Sequence, residues 1–246
     1  MSSPWFQCFR PNQHASLRLI CLPYAGGSAA VFRNWVLSMP ASIEIWAVQL
    51  PGRGTRWTEP PITRLEILVR ELSGPILDLL DRPYAIFGHS FGALSGFELA
   101  RQLGIQGSLK PVHLFVSACQ APHLPPTDMP IHGLPDQEFL QRLQSFNGTP
   151  VEVLEQPELL RLLLPAVRAD FEAFEIYQYL PGPALDCPIS ALGGYQDQRI
   201  QRYQLEAWRE YAGARFEVRM FPGDHFFLHS SQALVLRALI QALKIK

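Results

Sequence analysis

Tyr84-Ala85-Ile86-Phe87-Gly88-His89-Ser90-Phe91-Gly92-Ala93 is the stretch on which the fold turns. Residues 84–87 are apolar throughout, as suits a strand buried on both faces. Residues 91–103 read as a helix. Between them stands Gly-x-Ser-x-Gly, from Gly88 to Gly92. A serine on so sharp a strand-to-helix turn needs neighbours without side chains, because bulkier ones would clash there. The turn lifts the hydroxyl out at the carboxyl edge of a sheet. The helix start behind it points backbone N–H groups at any negative charge that develops. Taken alone, these residues could form an ordinary glycine-rich turn. The flanking strand and helix make Ser90 the expected nucleophile.

The alternation extends in both directions. Apolar runs at 17–22, 43–50, 112–118, 188–192 and 216–221 read as further parallel strands, with stretches of helical period between most of them. Leu65, Leu68, Val69, Leu72, Ile76 and Leu79 form one apolar stripe at spacings of three and four. Residues 203–211 and 232–243 read as two more helices. Strands alternating with helices predict an α/β fold, a mostly parallel sheet with helices on both faces. With the elbow, this is the α/β-hydrolase fold. One stretch departs from the rhythm. Residues 121–183 contain no obvious strand, open with Pro122, Pro125, Pro126 and Pro130, and carry helical pieces near 136–144 and 158–179. A structureless loop of that length is improbable in a compact domain. The expectation is one domain, 1–246, in which 121–183 forms a helical lid over the carboxyl edge, where open α/β sheets bind ligands.

Serine is a weak nucleophile at neutral pH and needs a base that an acid orients. In this fold the chain order after the serine is acid, then histidine. Of the seven histidines, His14 precedes the first strand, His89 lies inside the elbow and His113 lies within a strand. His123 and His132 precede any acid that could follow the insertion. His225 falls in the loop just past strand 216–221, at the edge where the elbow lies, whereas His229 falls in the next helix or its cap. His225 is the expected base. Asp197 follows strand 188–192 through the Gly193-Gly194 turn and reaches the same edge. Asp186 precedes that strand and lies at the other end, Asp224 adjoins His225 too closely to face its ring, and Asp170 belongs to the insertion. Asp197 is the expected acid, holding one tautomer of His225 and stabilising the imidazolium. An oxyanion hole needs two backbone N–H groups. Phe91, after the nucleophile, supplies one. The loop Leu22-Pro23-Tyr24-Ala25-Gly26-Gly27 offers the other from Ala25, with Tyr24 as the alternative, although an ordinary turn would fit those residues too.

Composition narrows the class. A chain of 246 residues, 48% of them hydrophobic, can fill one large core. A formal net charge of -1 offers no basic footprint for nucleic acid. Cys8, Cys21, Cys119 and Cys187 show neither metal nor disulfide spacing and read as reduced thiols. The first residues lack the apolar core of a secretory signal, and no apolar run is long enough to span a bilayer. A cytoplasmic monomer with no metal, no nucleic-acid partner and no membrane contact is expected.

Five motifs stand in order along the chain. They are Leu22-Pro23-Tyr24-Ala25-Gly26-Gly27-Ser28, Gln49-Leu50-Pro51-Gly52-Arg53-Gly54, Phe87-Gly88-His89-Ser90-Phe91-Gly92-Ala93, Gly193-Gly194-Tyr195-Gln196-Asp197 and His225-Phe226-Phe227-Leu228. Through them the chain resembles, nearly end to end, the type II thioesterases that accompany nonribosomal peptide and polyketide synthases. The resemblance implies a Ser90–Asp197–His225 triad and an oxyanion role for Ala25. It implies hydrolysis of acyl thioesters on the phosphopantetheine arm of carrier proteins, clearing misprimed or stalled chains. It implies no cofactor, since the arm belongs to the substrate. Two positions depart from the family pattern: Gly54, where an acid often follows Pro-Gly-Arg, and Asp224, where a second glycine often precedes the histidine. A lid with a narrow slot would suit a flexible arm. Its Leu159, Leu160, Leu162, Leu163, Leu164, Phe171, Phe174 and Tyr177 are candidates for an acyl pocket, set against the commoner role of such residues as core. Arg53 and Arg56 are candidates to meet a phosphate or an acidic carrier protein, set against solvated or loop-bracing roles. The alternatives are a medium-chain fatty acyl thioesterase of a fatty acid synthase, a carboxylester hydrolase, and a carrier-binding module without chemistry. The absent His-Gly-Gly-Gly loop argues against the second, and a complete triad against the third.

Overall fold

The structure is a computed structural model that describes residues 3–107, 110–146 and 156–244. Strands β2 (Leu17–Leu22), β3 (Ile43–Val48), β4 (Tyr84–His89), β5 (His113–Ser117), β6 (Ile189–Gly194) and β7 (Phe216–Phe221) pair in parallel, and β1 (Phe6–Gln7) pairs antiparallel to β3. The order is β1-β3-β2-β4-β5-β6-β7. The period-two alternation of a strand explains why these runs are apolar on both faces. Leu17, Leu19 and Cys21 of β2, Ile43, Ile45 and Ala47 of β3, and Ala85 and Phe87 of β4 enter one core. Ile20 and Leu22, Val48, and Tyr84 and Ile86 enter the other.

Helices α1 (Leu65–Ser73) and α2 (Phe91–Ile105) bury their apolar stripes in the second core. The β5–β6 crossover carries α3 (Asp136–Ser145) and α4 (Pro157–Glu175) and, among the described residues, no strand. Helix α5 (Arg202–Glu206) follows β6, and α6 (Phe227–Ser230) and α7 (Gln232–Leu243) follow β7. The first core is closed by α7 and by a 3-10 stretch, Ala29–Leu37, that buries Phe32 and Trp35. Since β4 lies between β2 and β5, the loops leaving β2, β4, β6 and β7 at their carboxyl ends converge around the elbow.

Several bounds differ from expectation. The stripe at 65–79 divides at Gly74, and Pro75 opens a 3-10 turn, Pro75–Leu79. Proline lacks the N–H that would continue the helical ladder. Residues 203–211 divide into α5 and the 3-10 turn Ala207–Tyr211, and the helix expected at 158–179 ends at Glu175. Strand β1 and the 3-10 stretch were not anticipated. Ser28 caps the latter, its hydroxyl accepting from Ala30 N–H at 3.3 Å. The four cysteines are unpaired. Among the described residues no helix is long and apolar enough to cross a membrane.

A buried polar chain joins the outer strands. His113 Nε2 lies 2.8 Å from Ser190 Oγ, whose hydroxyl donates to Glu217 Oε1 at 2.9 Å. Burial pushes His113 down to about 4, with Arg215 and Arg219 adding in the same direction and Glu217 opposing. Buried His89 is also held well below the ordinary imidazole value, chiefly by desolvation. An unfolded histidine takes its proton near about 6.5. Between that pH and the folded value the unfolded chain binds more protons, so stability falls as pH falls through the window. The Tm is therefore expected to drop on going from pH 7 to pH 5. It should drop less in His113→Gln, which keeps a donor for Ser190 and has nothing to titrate. Identical Tm–pH slopes would remove His113 from the account.

Candidate active site

Ser90 occupies the turn between β4 and α2 at φ 53° and ψ −116°, a conformation that side chains rarely adopt. Its N–H donates to Ser117 O at 2.7 Å, which fixes the turn to β5. The two motif glycines are required by space. A Cβ on Gly88 would lie 2.0 Å from Gly92 O, and one on Gly92 would lie 2.2 Å from Leu22 O. The second approach seats the start of α2 against the end of β2, so the loop after Leu22 runs beside Phe91.

His225 lies past β7, and its Nδ1 is 2.8 Å from Asp197 Oδ2. Both side chains are buried. The other carboxylate oxygen of Asp197 accepts from Arg199 N–H at 2.9 Å and Ile200 N–H at 3.2 Å. Burial opposes ionisation of Asp197, but the bonds from His225 and those two amides outweigh it and hold the carboxyl below its usual range. With Nδ1 donating to a carboxylate, Nε2 is left as the basic nitrogen. Ser90 Oγ makes no hydrogen bond to His225 in the structure, although both groups line the same cavities. That contact is commonly long until substrate is engaged. The other candidate acids lie elsewhere: Asp186 is exposed and paired with Lys110, Asp224 caps Phe226 N–H, and Asp170 faces Arg53. His229 sits in α6 with Nε2 3.1 Å from the Tyr24 hydroxyl.

The loop after β2 closes on a hydrogen bond from Gly27 N–H to Tyr24 O at 2.8 Å, with Gly26 at φ +78°. That angle at the third position is the mark of a type II turn and calls for glycine. Among the described residues neither Ala25 N–H nor Phe91 N–H has a hydrogen-bond acceptor. The Tyr24 ring packs edge-on to His89, Phe226 and His229.

Two cavities meet at Ser90. One, of about 560 Å³, lies under Phe174, Tyr177 and Tyr179 and is walled by Leu94, Cys119 and the proline-rich residues 122–130. The other, of about 300 Å³, lies between the Tyr24–Ser28 loop and Leu143, Phe146, Leu163 and Val167. Ser90, Phe171, Arg199 and His225 line both. Of the acyl-pocket candidates, Phe171, Phe174, Tyr177 and Leu163 reach these walls. Leu164 instead packs with Ile131, Phe139 and Leu143, Leu162 is 64% exposed, and Leu160 is half-buried outside both cavities. The side chain of Leu159 lies outside the described residues.

Of the readings open for Arg53 and Arg56, the structure favours the loop-bracing one, since both are buried. Arg53 forks onto Asp170 of α4, with Nη2 2.7 Å from Oδ1. Arg56 pairs with Glu59, donates to Gln49 O and lies over the Trp5 ring. They brace the loop after β3. Gly54 in that loop has φ +53°, and a Cβ there would lie 2.7 Å from the Gln49 carboxamide oxygen, so a side chain would strain the backbone and displace Gln49. His89 is the site residue that the sequence pattern did not single out. Its Nε2 donates to His225 O at 2.9 Å and its Nδ1 accepts from Ser117 Oγ at 2.8 Å. It therefore ties the His225 backbone to the elbow.

A family model described as "Thioesterase domain" matches residues 17–243. The chain is 44% identical over 98% of its length to the gramicidin S biosynthesis protein GrsT of Aneurinibacillus migulanus, covering 94% of that protein. It is 46% identical over 98% of its length to the protein named linear gramicidin dehydrogenase LgrE of Brevibacillus parabrevis, covering 92% of it. Among solved structures, the type II thioesterase BorB from the borrelidin biosynthetic cluster superposes with a TM-score of 0.89 at 34% identity. That superposition covers 99% of this chain and 98% of BorB.

Proposed function

The chain belongs to the thioesterase-domain family, and from that premise we propose that it removes acyl groups from the phosphopantetheine arm of carrier-protein domains, clearing misprimed or stalled intermediates of a nonribosomal peptide or polyketide synthase. It is a serine hydrolase acting on acyl thioesters. Its place of work is the cytoplasm, and it acts as a monomer. The reading needs no cofactor, because the arm arrives with the substrate.

Ser90 Oγ attacks the thioester carbonyl while His225 Nε2 takes its proton. The tetrahedral oxyanion is held by Ala25 N–H and Phe91 N–H at the positive end of α2. The C–S bond breaks, and the pantetheine sulfur leaves with the proton from His225. Water then attacks the acyl-enzyme, His225 accepts its proton, and Ser90 departs with that proton, releasing the carboxylic acid. Asp197 holds Nδ1–H throughout, so that Nε2 is the basic nitrogen.

The observation that carries this reading is the meeting of two cavities at Ser90. An acyl thioester is a chain with its reacting carbon in the middle, and two chambers can receive its two halves. The described parts of the crossover, 121–146 and 156–183, then serve as a lid. A hydride-transfer reading, suggested by the name of one relative, has no support here. After β2 stands Pro23-Tyr24-Ala25-Gly26-Gly27-Ser28 instead of the Gly-x-Gly-x-x-Gly turn that cradles a dinucleotide.

Carrier contacts add binding energy remote from the reacting carbon, which positions the thioester against Ser90. The expected order of kcat/KM is acetyl-carrier over acetyl-coenzyme A over p-nitrophenyl acetate. Equal rates on carrier and coenzyme A would keep the thioesterase and remove the carrier. A preference for the ester would make it a general esterase. An octanoyl series with a strong optimum would favour fatty acyl substrates.

A further inference from the structure

We infer that Asp170 and Arg53 are positioning residues for the oxyanion loop, so that helix α4 of the crossover, besides roofing the site, sets the geometry of one of its catalytic donors. Asp170 Oδ2 accepts Gly26 N–H at 2.7 Å. The same carboxylate takes both arms of the Arg53 fork, and Arg53 Nη1 also reaches Gly27 O at 3.4 Å. Asp170 and Arg53 are 2% and 3% exposed. The contact is continued by packing. A Cβ on Gly26 would lie 2.9 Å from Val167 Cγ2, and one on Gly52, in the loop that carries Arg53, would lie 3.4 Å from the Ala166 methyl. Ala166, Val167 and Asp170 share one face of α4 at helical spacing, and that face is pressed on both loops.

The consequence for chemistry lies one peptide away. Holding Gly26 N–H fixes the Ala25–Gly26 peptide plane, and the turn hydrogen bond from Gly27 to Tyr24 ties that plane to the rest of the turn. The neighbouring Ala25 N–H faces no acceptor among the described residues. Preorganised donors aimed at the developing oxyanion contribute much of the rate of such a site, and small misplacements cost on the order of a hundredfold. The pair's burial points the same way. A buried ion pair is weak evidence for stability, because well-packed apolar residues often serve the fold as well. What apolar residues cannot supply is the acceptor for Gly26 N–H.

The inference rests on Ser90 as nucleophile and Ala25 N–H as an oxyanion donor. The test compares Asp170→Asn and the charge-free double variant Arg53→Met/Asp170→Leu with the wild-type chain. Tm, kcat and KM would be measured on acetyl-coenzyme A, together with inhibition by a trifluoromethyl ketone whose serine adduct carries an oxyanion. Asp170→Asn keeps an oxygen for Gly26 N–H but turns its NH₂ toward Arg53 Nη2 and leaves that buried guanidinium without a counter-charge. It should therefore lower the Tm while losing less of the rate than the double variant. The double variant should keep a Tm near wild type, leave KM nearly unchanged and lower kcat on the order of a hundredfold. Its affinity for the ketone should weaken by the same factor. A folded double variant with wild-type kcat would overturn the inference, as would a kcat loss matched by no loss of ketone affinity. Ser90→Ala measured alongside separates the premises. If Ser90→Ala stays active, the nucleophile assignment fails. If it is dead while the double variant is fully active, only the role of Asp170 and Arg53 fails.

Discussion

Ser90→Ala is expected to lower thioester hydrolysis on the order of a million-fold, the usual consequence of removing the nucleophile of a triad, while leaving the Tm close to wild type. The two halves of that expectation have separate causes. Among the described residues the hydroxyl makes no hydrogen bond, and the turn around it is held by Ser90 N–H on Ser117 O and by the close backbone approaches at Gly88 and Gly92. Alanine inherits the same φ of 53° and the same strain, so little of the fold changes. The chemistry loses the hydroxyl proposed to form the acyl-enzyme. A fluorophosphonate should add one mass adduct to the wild-type chain and none to the variant. Turnover comparable to wild type, or labelling of a different residue, would sink the assignment.

The elbow was legible in the sequence because its demands are local. Gly88, Ser90 and Gly92 answer to steric limits within one turn, and the strand before and helix after carry their own periodicities. The buried strands were legible for a similar reason, since a strand covered on both faces can be apolar at every position. Strand β1 is two residues long, too short to show any pattern, and exists because β3 has an open edge beside it. The 3-10 stretch Ala29–Leu37 buries Ala29, Phe32, Trp35 and Val36 at a spacing between helix and strand, so neither template found it.

Long-range pairings were the part that local reading could not reach. Arg53 stood undecided between a ligand-facing, a solvated and a loop-bracing role because its partner, Asp170, lies 117 positions away in another element. His89 looked like the free position of a motif, yet it bonds a carbonyl 136 positions away. Asp197 and His225 could be matched in the sequence, and pair in the structure, because the fold fixes the edge at which their loops emerge, and 28 positions separate them across a single strand. Position relative to the sheet is readable from strand order; side-chain pairing between separate loops and helices is not.

His225→Ala is expected to cost about as much as loss of Ser90, on the order of a million-fold, because base and nucleophile act as a unit. His229→Ala, four residues on, is expected to be mild. His229 meets Tyr24 through the hydroxyl and edge-on through the ring, and it makes no hydrogen bond to Ser90 or His225. Asp197→Asn should fall between, at most on the order of ten-thousand-fold, and the structure gives the reason. Oδ1 of Asp197 accepts from Arg199 N–H and Ile200 N–H, while Oδ2 faces His225 Nδ1. An asparagine must keep its oxygen toward the two amides, which leaves its NH₂ toward His225. Nδ1 can meet that donor only as an acceptor, so the ring proton moves to Nε2 and the nitrogen that should take the Ser90 proton is already occupied. The same geometry predicts the acid behaviour of the wild-type pair. A carboxyl held below its ordinary range stabilises the fold above about pH 4 and loses that contribution only as pH falls through the lower folded value, so Asp197 should stay ionised throughout the working range. NMR of the His225 ring separates the outcomes. Wild type should show the Nδ1–H tautomer and Asp197→Asn the Nε2–H tautomer. An Asp197→Asn variant that keeps the Nδ1–H tautomer yet loses the rate would show that the carboxylate acts through its charge. If His229→Ala proved the crippling change and His225→Ala the mild one, the base would be His229.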